Sequence, residues 1–485
     1  MSHPAGPRLA RRPVLAAAAA AAPSLALAGR ATGAPHPGVP AQEGAAERYA
    51  RVDAHLRRGL ATLRTPGLAV VAVEGGALAV SQGYGWADQA AGVPMTDATP
   101  VALGSTTKGL TALAVLQLVE QGRVDLDAPV TRYLPAFRVA DARGAAITPR
   151  HLLSHQSGLP GGELLDGAQD DAALARYVAT LRDVALARAP GTGYEYANGG
   201  YSVAGLVVQE VAGRPYERVV EEDLFAPLGM ARTTFDPARA AAEGLAQGYA
   251  KRRGVVGPIP TAPSRGTAPA GMAFSTARDA GRYLLALLNG GALGDARVAS
   301  AASIGALWAP HAPVGDGVAY GLGWQLREAE GLRLVEHGGN VPWGGSMFLL
   351  VPDRGVAVGV LANLAGPEKE AVAEDVLRLV LGGEPVAREV PPDWRGTAFA
   401  PDPAVLDAYA GEYAGPEVLL RVSRQGDRLL GESRGLALEF VALSATEFVL
   451  LTDLTQLDEA PAAFRPRPDG AVEFSLRGQL LATKR

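Results

Sequence analysis

The stretch "LGSTTKGL", Leu103 to Leu110, places Ser105 and Lys108 three residues apart at the predicted start of a helix. Residues three apart lie on the same face of a helix, so the two side chains are expected to meet. Ser105 would lie among the unpaired N–H groups of the first turn, where the helix dipole favours negative charge. The same pattern also fits an ordinary helix cap followed by a solvated lysine, because S-x-x-K occurs by chance in many proteins.

The helix predicted near residues 106–121 is apolar on nearly every face, which is typical of a helix buried in a protein core. A charged lysine in such a helix is costly unless it has a partner. Burial also lowers the pKa of a lysine, which makes its amine available as a base. These surroundings favour a reactive Lys108 over a solvated one, and other segments have to supply its partners.

The segment "YAN" supplies Tyr196 and Asn198 at the head of another predicted helix. Tyr196 can transfer a proton if a nearby lysine lowers its pKa, and Asn198 can hold Lys108 or a substrate amide. A structural explanation is equally open at this point, with Tyr196 in the core and Asn198 as a helix cap.

The segment "HGGN" supplies His337, Gly339 and Asn340 at the end of a predicted strand. Its glycines allow another backbone to approach closely. The Asn340 N–H could then pair with the Ser105 N–H as an oxyanion hole. The alternative is a glycine-rich turn that carries a surface histidine.

In chain order, these three segments resemble the motifs S-x-x-K, Y-x-N and H-x-G of the serine β-lactamase and penicillin-binding-protein superfamily. The likeness is to the class C β-lactamase-like branch, which includes esterases, D-aminopeptidases and D,D-peptidases. It covers roughly residues 45–382 and extends to four further segments: "ITPRHLLSHQSGLP" (147–160), "PLGMARTTF" (227–235), "APAGMAFSTARDAGRYLLALLNGG" (268–291) and "YGLGWQ" (320–325).

The resemblance implies catalytic roles for Ser105, Lys108 and Tyr196 and substrate-binding roles for Asn198, His337, Gly339 and Asn340. Ser105 would be the acylated nucleophile, while Lys108 and Tyr196 would share its proton and pass it to the leaving group. His337 would replace the lysine of a K-T-G motif. Because histidine is a weaker and pH-dependent cation, it argues against a dedicated β-lactamase. Family members often have Gly-aromatic after the proline of the third motif, whereas this chain has Pro342-Trp343-Gly344.

The expected protein is therefore an exported serine hydrolase that needs no metal or other cofactor. It would act through an acyl-enzyme on small amides or esters, such as D-amino-acid peptides or short acyl esters. Two alternatives are a β-lactamase that hydrolyses β-lactam antibiotics and a non-catalytic protein that binds penicillin or peptidoglycan. The intact Ser105, Lys108, Tyr196 and Asn198 argue against the non-catalytic alternative.

Two other functional hypotheses fit the sequence less well. His151 and His155 invite a metal hypothesis, but no third ligand follows at suitable spacing, so a structural role is favoured. Ser202 in "GYSVA" approaches the G-x-S-x-G elbow of α/β-hydrolases. The final glycine is replaced by Ala204, and no β-branched strand precedes the segment.

Hydrophobic periodicity predicts a mixed α/β (α+β) fold, in which early and late strands share one antiparallel sheet flanked by helices. The resemblance implies the β-lactamase/D,D-peptidase-like fold with a helical subdomain. After a Pro-rich linker (383–402), residues 403–485 are predicted to form a small all-β barrel-like domain, which resembles the lipocalin-like domain often fused to these hydrolases. The predicted elements are helices near 45–63, 106–121, 172–187, 201–212, 276–289 and 368–381 and strands at 68–74, 77–85, 332–337, 346–352 and 355–363.

Residues 1–28 have the pattern of a secretory signal, with early arginines, an apolar stretch and a small-x-small cleavage pattern ending at Ala28. The paired arginines fit a twin-arginine signal, and an ordinary Sec signal fits equally well. A flexible leader (29–44) follows, then the hydrolase domain (45–382). The chain of 485 residues has no cysteine and a net charge of −5 without a basic block, so neither disulfides nor a nucleic-acid partner is expected. The expected partner is a small-molecule or short-peptide substrate, with no stable membrane anchor, and the sequence leaves the oligomeric state open.

Overall fold

The computed structural model describes residues 44–162, 167–366, 368–386, 399, 401–415, 418–433, 435–453, 458–476 and 478–484. The predicted export signal (1–28), nearly all of the predicted leader and most of the predicted linker lie outside these described residues. Within them, no helix is long and apolar enough to cross a membrane.

The described residues contain twelve α-helices and twenty-three strands, numbered along the chain. The helices are α1 (Ala45–Leu63), α2 (Thr107–Glu120), α3 (Pro149–Leu153), α4 (Ala173–Thr180), α5 (Asn198–Ala212), α6 (Tyr216–Val220), α7 (Pro237–Ala242), α8 (Ala268–Gly271), α9 (Ala277–Leu288), α10 (Ala301–Leu307), α11 (Glu368–Val380) and α12 (Pro403–Tyr409). The strands are β1 (Gly67–Glu74), β2 (Ala77–Asp88), β3 (Val93–Pro94), β4 (Val101–Ala102), β5 (Gly248–Arg252), β6 (Val255–Ile259), β7 (Phe274–Ser275), β8 (Ala292–Leu293), β9 (Ala296–Arg297), β10 (Ala312–Gly315), β11 (Val318–Tyr320), β12 (Gln325–Ala329), β13 (Leu332–Val341), β14 (Gly344–Val351), β15 (Val356–Ala362), β16 (Gly411–Ala414), β17 (Leu419–Gln425), β18 (Arg428–Ser433), β19 (Leu436–Ala442), β20 (Glu447–Thr452), β21 (Ala460–Pro466), β22 (Val472–Leu476) and β23 (Gln479–Lys484).

Nine strands form one antiparallel sheet in the order β10-β11-β12-β13-β14-β15-β1-β2-β3. Early and late parts of the chain meet at its centre, because β1 pairs with β15 and Leu68 lies opposite Ala362. β14 and β15 are buried along their whole length, as expected for central strands covered on both faces. The prediction that early and late strands share one antiparallel sheet is confirmed.

Alternate residues of the central strands face two separate cores, as the two-residue period of a strand requires. On one face, α9 approaches so closely that a Cβ on Gly281 would lie 2.6 Å from Val71 Cγ2. On the other face, Val70 packs in one cluster with Val52 of α1 and Val376 of α11. Helices therefore cover both faces of the sheet.

The helical region is built around α2, which packs against α5 and α8. Residues 107–116 of α2 are all buried, in agreement with its uniformly apolar sequence. Gly205 in α5 allows α8 to come close, because a Cβ there would lie only 2.1 Å from Pro269 Cγ. This packing brings the first turn of α2, the first turn of α5 and the backbone of α8 to one place.

The carboxy-terminal strands β16 to β23 form a closed barrel, and the predicted all-β barrel-like domain is confirmed. Its acidic turn contacts the β5–β6 hairpin of the larger unit. Asp458 Oδ2 accepts a hydrogen bond from Gly254 N at 2.6 Å, and Glu459 pairs with Arg64 at 2.8 Å and with Lys251 at 3.5 Å. These contacts hold the barrel against the hairpin and against Arg64, which follows α1.

Two predicted elements differ most from the structure. The helix predicted near 172–187 ends at Thr180, and after a 3₁₀ turn (Leu181–Asp183) the chain is no longer helical. The reason is that the backbone of this segment bonds to other loops: Val184 O accepts from Ala140 N, and Ala187 N donates to Gly158 O. The strand predicted to end at His337 continues to Val341, because its glycines and Asn340 stay paired with β14.

Candidate active site

Ser105 lies in a one-turn 3₁₀ helix (Gly104–Thr106) that leads directly into α2. Its backbone is anchored from two sides. Leu103 N donates to Ala273 O at 2.8 Å, and the Ser346 hydroxyl in β14 donates to Leu103 O at 2.7 Å. The serine is thus fixed where the sheet meets the helical region, with its side chain partly exposed.

Lys108 is completely buried in the first turn of α2. Its Nζ donates to three acceptors: Ser105 Oγ at 2.9 Å, Asn198 Oδ1 at 2.7 Å and Ala270 O at 2.7 Å. These acceptors match the three hydrogens of an ammonium group and offset much of the cost of its burial. Lys108 is therefore directed at Ser105, as the sequence predicted, and Asn198 from the first turn of α5 helps to hold it there.

Tyr196 completes the contacts around the serine. Its hydroxyl donates to Ser105 Oγ at 2.8 Å, and the centre of its ring lies 4.8 Å from Lys108 Nζ. Once Lys108 or Tyr196 has lost its own proton, it can take the proton of Ser105 while the hydroxyl oxygen attacks a carbonyl carbon. The structure thus brings together the three residues predicted to carry the chemistry.

His155 packs against Tyr196, with ring centroids 4.2 Å apart. Its Nδ1 accepts a hydrogen bond from Ala197 N at 3.1 Å, so the proton of the neutral ring is on Nε2. Burial, together with the positive charge of Lys108, holds the pKa of His155 well below its usual value. No cluster of residues that could hold a metal occurs among the described residues, and His155 is placed as a neutral support of Tyr196.

His337 is buried in β13, and its charge differs from the prediction. Its Nδ1 lies 2.6 Å from Gly338 O, to which it donates, so Nε2 accepts from the Tyr320 hydroxyl at 2.8 Å. Burial, with a further contribution from Lys108, lowers the pKa of His337 from 6.5 to about 3. The sequence predicted a pH-dependent cation in place of the motif lysine, whereas the buried ring is neutral at neutral pH.

The depressed pKa of His337 predicts an acid-sensitive fold. Between the unfolded value of 6.5 and the folded value of about 3, the unfolded chain binds the proton and the folded chain does not. The free energy of unfolding must therefore fall with falling pH, by up to about 1.4 kcal/mol per pH unit for this one group. We expect His337→Gln to flatten the dependence by about one proton between pH 6.5 and 4.5 in urea unfolding. An unchanged slope would show that His337 is already charged in the folded protein.

Gly339 and Asn340 lie on β13 beyond its pairing with β12, which ends at Glu336. This unpaired edge contacts the Ser105 turn through backbone atoms. A Cβ on Gly104, whose φ is 60°, would lie 2.5 Å from Asn340 N, and a Cβ on Gly339 would lie 2.8 Å from Ser105 N. Neither position has room for a side chain, so both residues have to be glycine. The two amide nitrogens lie at one contact, where their N–H groups can converge on a carbonyl oxygen.

The rival nucleophile is not accessible in this fold. Ser202 is completely buried in α5, and its hydroxyl donates to Gly266 O at 3.0 Å. Sequence reasoning missed two neighbours of the site, Tyr320 beside His337 and Ala270 O beside Lys108. Both occur in segments that carry the family resemblance, but no residue type there indicated which atoms would contact the site.

Comparisons with known proteins identify the family and the fold. The Beta-lactamase family model matches residues 52–382. Esterase EstB from Burkholderia gladioli is 34% identical over 363 residues, which cover 65% of this chain and 90% of the esterase. Penicillin-binding protein 4 from Amycolatopsis lactamdurans is 32% identical over 301 residues, covering 60% of this chain and 78% of that protein. The octameric penicillin-binding protein homologue from Pyrococcus abyssi shares the fold, with a TM-score of 0.61 and 24% identity over 90% of this chain and 100% of that one.

Proposed function

The chain belongs to the Beta-lactamase family and is a serine hydrolase, and from that premise we propose that Ser105 forms an acyl-enzyme on small esters or amides. One observation carries this assignment. Ser105 Oγ lies 2.9 Å from Lys108 Nζ and 2.8 Å from Tyr196 OH, so the groups that can accept its proton are already in hydrogen-bond contact.

In the proposed first step, Ser105 Oγ attacks the substrate carbonyl carbon while its proton passes to the Lys108–Tyr196 pair. The carbonyl π electrons move to the oxygen, which the N–H groups of Ser105 and Asn340 stabilise. The carbon–oxygen or carbon–nitrogen bond to the leaving group then breaks, and the stored proton goes to that group. In the second step, water attacks the acyl carbon and gives a proton to the Lys108–Tyr196 pair. The bond between the acyl carbon and Ser105 Oγ then breaks, and the pair returns that proton to Ser105 Oγ as the acid product leaves.

The proposed substrates are short acyl esters or D-amino-acid peptides, and β-lactams are expected to be poor ones. The neutral His337 beside the site supplies no positive charge to the carboxylate that β-lactam antibiotics carry. The identity to an esterase also favours ester substrates. We further propose that the enzyme acts outside the cytoplasm, because residues 1–28 have the pattern of a secretory signal.

A panel of p-nitrophenyl esters, D-aminoacyl anilides and nitrocefin tests the substrate class. We expect kcat/KM for the best ester or anilide to exceed that for nitrocefin at least about ten- to a hundredfold, the worth of one missing charge-assisted contact. Rates of Ser105→Ala give the background that remains without the nucleophile. Nitrocefin as the best substrate would make the protein a β-lactamase. Stable binding of a labelled penicillin without turnover of the panel would make it a binding protein.

A further inference from the structure

A second buried lysine contacts β13 and has no part in the mechanism described above. Lys369, near the start of α11, is only 2% exposed. Its side chain passes over Gly345, where a Cβ would lie 3.2 Å from Lys369 Cε. Gly345 is paired with Asn340 across β13 and β14. The lysine side chain that crosses Gly345 therefore places its ammonium group next to Asn340.

The contacts of this ammonium group converge on Asn340. Lys369 Nζ donates to Asn340 Oδ1 at 2.7 Å and to Gly366 O at 2.6 Å, and Glu370 lies 3.5 Å away. Asn340 Oδ1 also accepts from Gly366 N at 3.2 Å. The side chain of Asn340 is thus fixed to the loop before α11, while the backbone nitrogen of Asn340 faces the Ser105 turn.

Burying a lysine is costly, and an apolar residue in the same space is often as good or better for stability. The proposed mechanism uses Lys108 but not Lys369. We propose that Lys369 is a positioning residue for the oxyanion hole: it holds Asn340 by the side chain so that the Asn340 N–H meets the carbonyl oxygen. This role rests on the proposed function, and it acts through Asn340 without contact to substrate.

A double-mutant cycle tests the role with Lys369→Met, Asn340→Ala and the double variant, assayed with the best ester of the panel. Lys369→Met keeps the apolar part of the side chain but loses the ammonium group. Asn340→Ala keeps the backbone N–H but loses the side-chain oxygen that Lys369 holds. Each single variant is expected to lower kcat about 10- to 100-fold with KM changed less than threefold, because a misplaced oxyanion donor weakens the transition state selectively. The double variant is expected to lose no more than the worse single one.

The matched control is Lys251→Met, which removes another buried lysine whose partners are Glu368 and Glu459. Its kcat is expected to stay within threefold of wild type. The rate of phosphonylation by a fluorophosphonate should fall with kcat in the Lys369 and Asn340 variants and stay unchanged in the control. This readout is specific, because a merely structural role would lower the melting temperature without changing the acylation rate of the folded fraction.

Wild-type kcat in folded Lys369→Met would overturn the role, and so would losses that multiply in the double variant. If Lys369→Met fails to fold, wild-type kcat in Asn340→Ala overturns it, because the anchored side chain would then be dispensable. If the wild-type protein is not labelled at all, the proposed function itself is wrong. If the wild type is labelled normally and Lys369→Met keeps its phosphonylation rate and kcat, only this inference is wrong.

Discussion

Ser105→Ala is expected to lower kcat/KM toward p-nitrophenyl esters about 10⁴- to 10⁶-fold, since removing the nucleophile leaves only binding and the oxyanion donors. Ser105 Oγ is the atom on which the Lys108 and Tyr196 hydrogen bonds converge, and no acyl-enzyme can form without it. The variant should keep its fold, because Lys108 retains Asn198 and Ala270 as partners. Steady-state kinetics, with a melting curve for each protein, provide the measurement.

Ser202→Ala is the matched control for this prediction. Ser202 is also a helix serine, but it is buried and donates to Gly266 O at 3.0 Å. Its loss should cost about 1 kcal/mol of stability and leave kcat/KM within threefold. Activity that disappears in Ser202→Ala and persists in Ser105→Ala would restore the hydrolase-elbow hypothesis.

Lys108→Met is expected to lower kcat/KM about 10³-fold, because the group that exchanges a proton with Ser105 is gone. Stability should change by less than about 2 kcal/mol or increase. Losing the hydrogen bonds from Lys108 to Asn198 Oδ1 and Ala270 O costs up to about 1–3 kcal/mol each, while the several-kcal/mol penalty of a buried ammonium disappears. Ester hydrolysis and urea unfolding, measured on the same preparation, separate the two effects.

Lys108→Arg distinguishes a proton-transfer role from a purely electrostatic one. Arginine keeps the positive charge but does not lose its proton at any accessible pH, so activity should stay as low as in Lys108→Met. Recovery of activity in Lys108→Arg, or a loss of less than tenfold in Lys108→Met, would contradict a role for Lys108 in moving the proton.

Much of the fold could be predicted because it depends on local patterns. The uniformly apolar helix after Ser105 correctly indicated burial of Lys108, which is completely enclosed. The strand-like runs near both ends of the domain, with helices between them, likewise indicated a shared sheet, and β1 does pair with β15. The spacing of Ser105 and Lys108 allowed their side chains to meet, and the apolar helix that follows favoured this contact over a solvated lysine, in agreement with the 2.9 Å between Lys108 Nζ and Ser105 Oγ.

What could not be predicted depends on contacts between distant segments. The charge of His337 is set by its burial next to Tyr320 and Lys108, and the sequence around "HGGN" contains neither neighbour. Lys369 lies in a helix predicted near residues 368–381, and no motif there singled it out, whereas the structure places its Nζ 2.7 Å from Asn340 Oδ1. Burial and pairing of this kind arise from tertiary packing, which local sequence periodicity does not reveal.

The most direct measurement is the site of covalent modification after incubation with a fluorophosphonate, read by intact-mass and peptide mass spectrometry. We predict one adduct per chain, located on Ser105, and none in Ser105→Ala. An adduct on another residue, equal labelling of Ser105→Ala, or no labelling of an esterolytically active wild type would contradict an acyl-enzyme at Ser105.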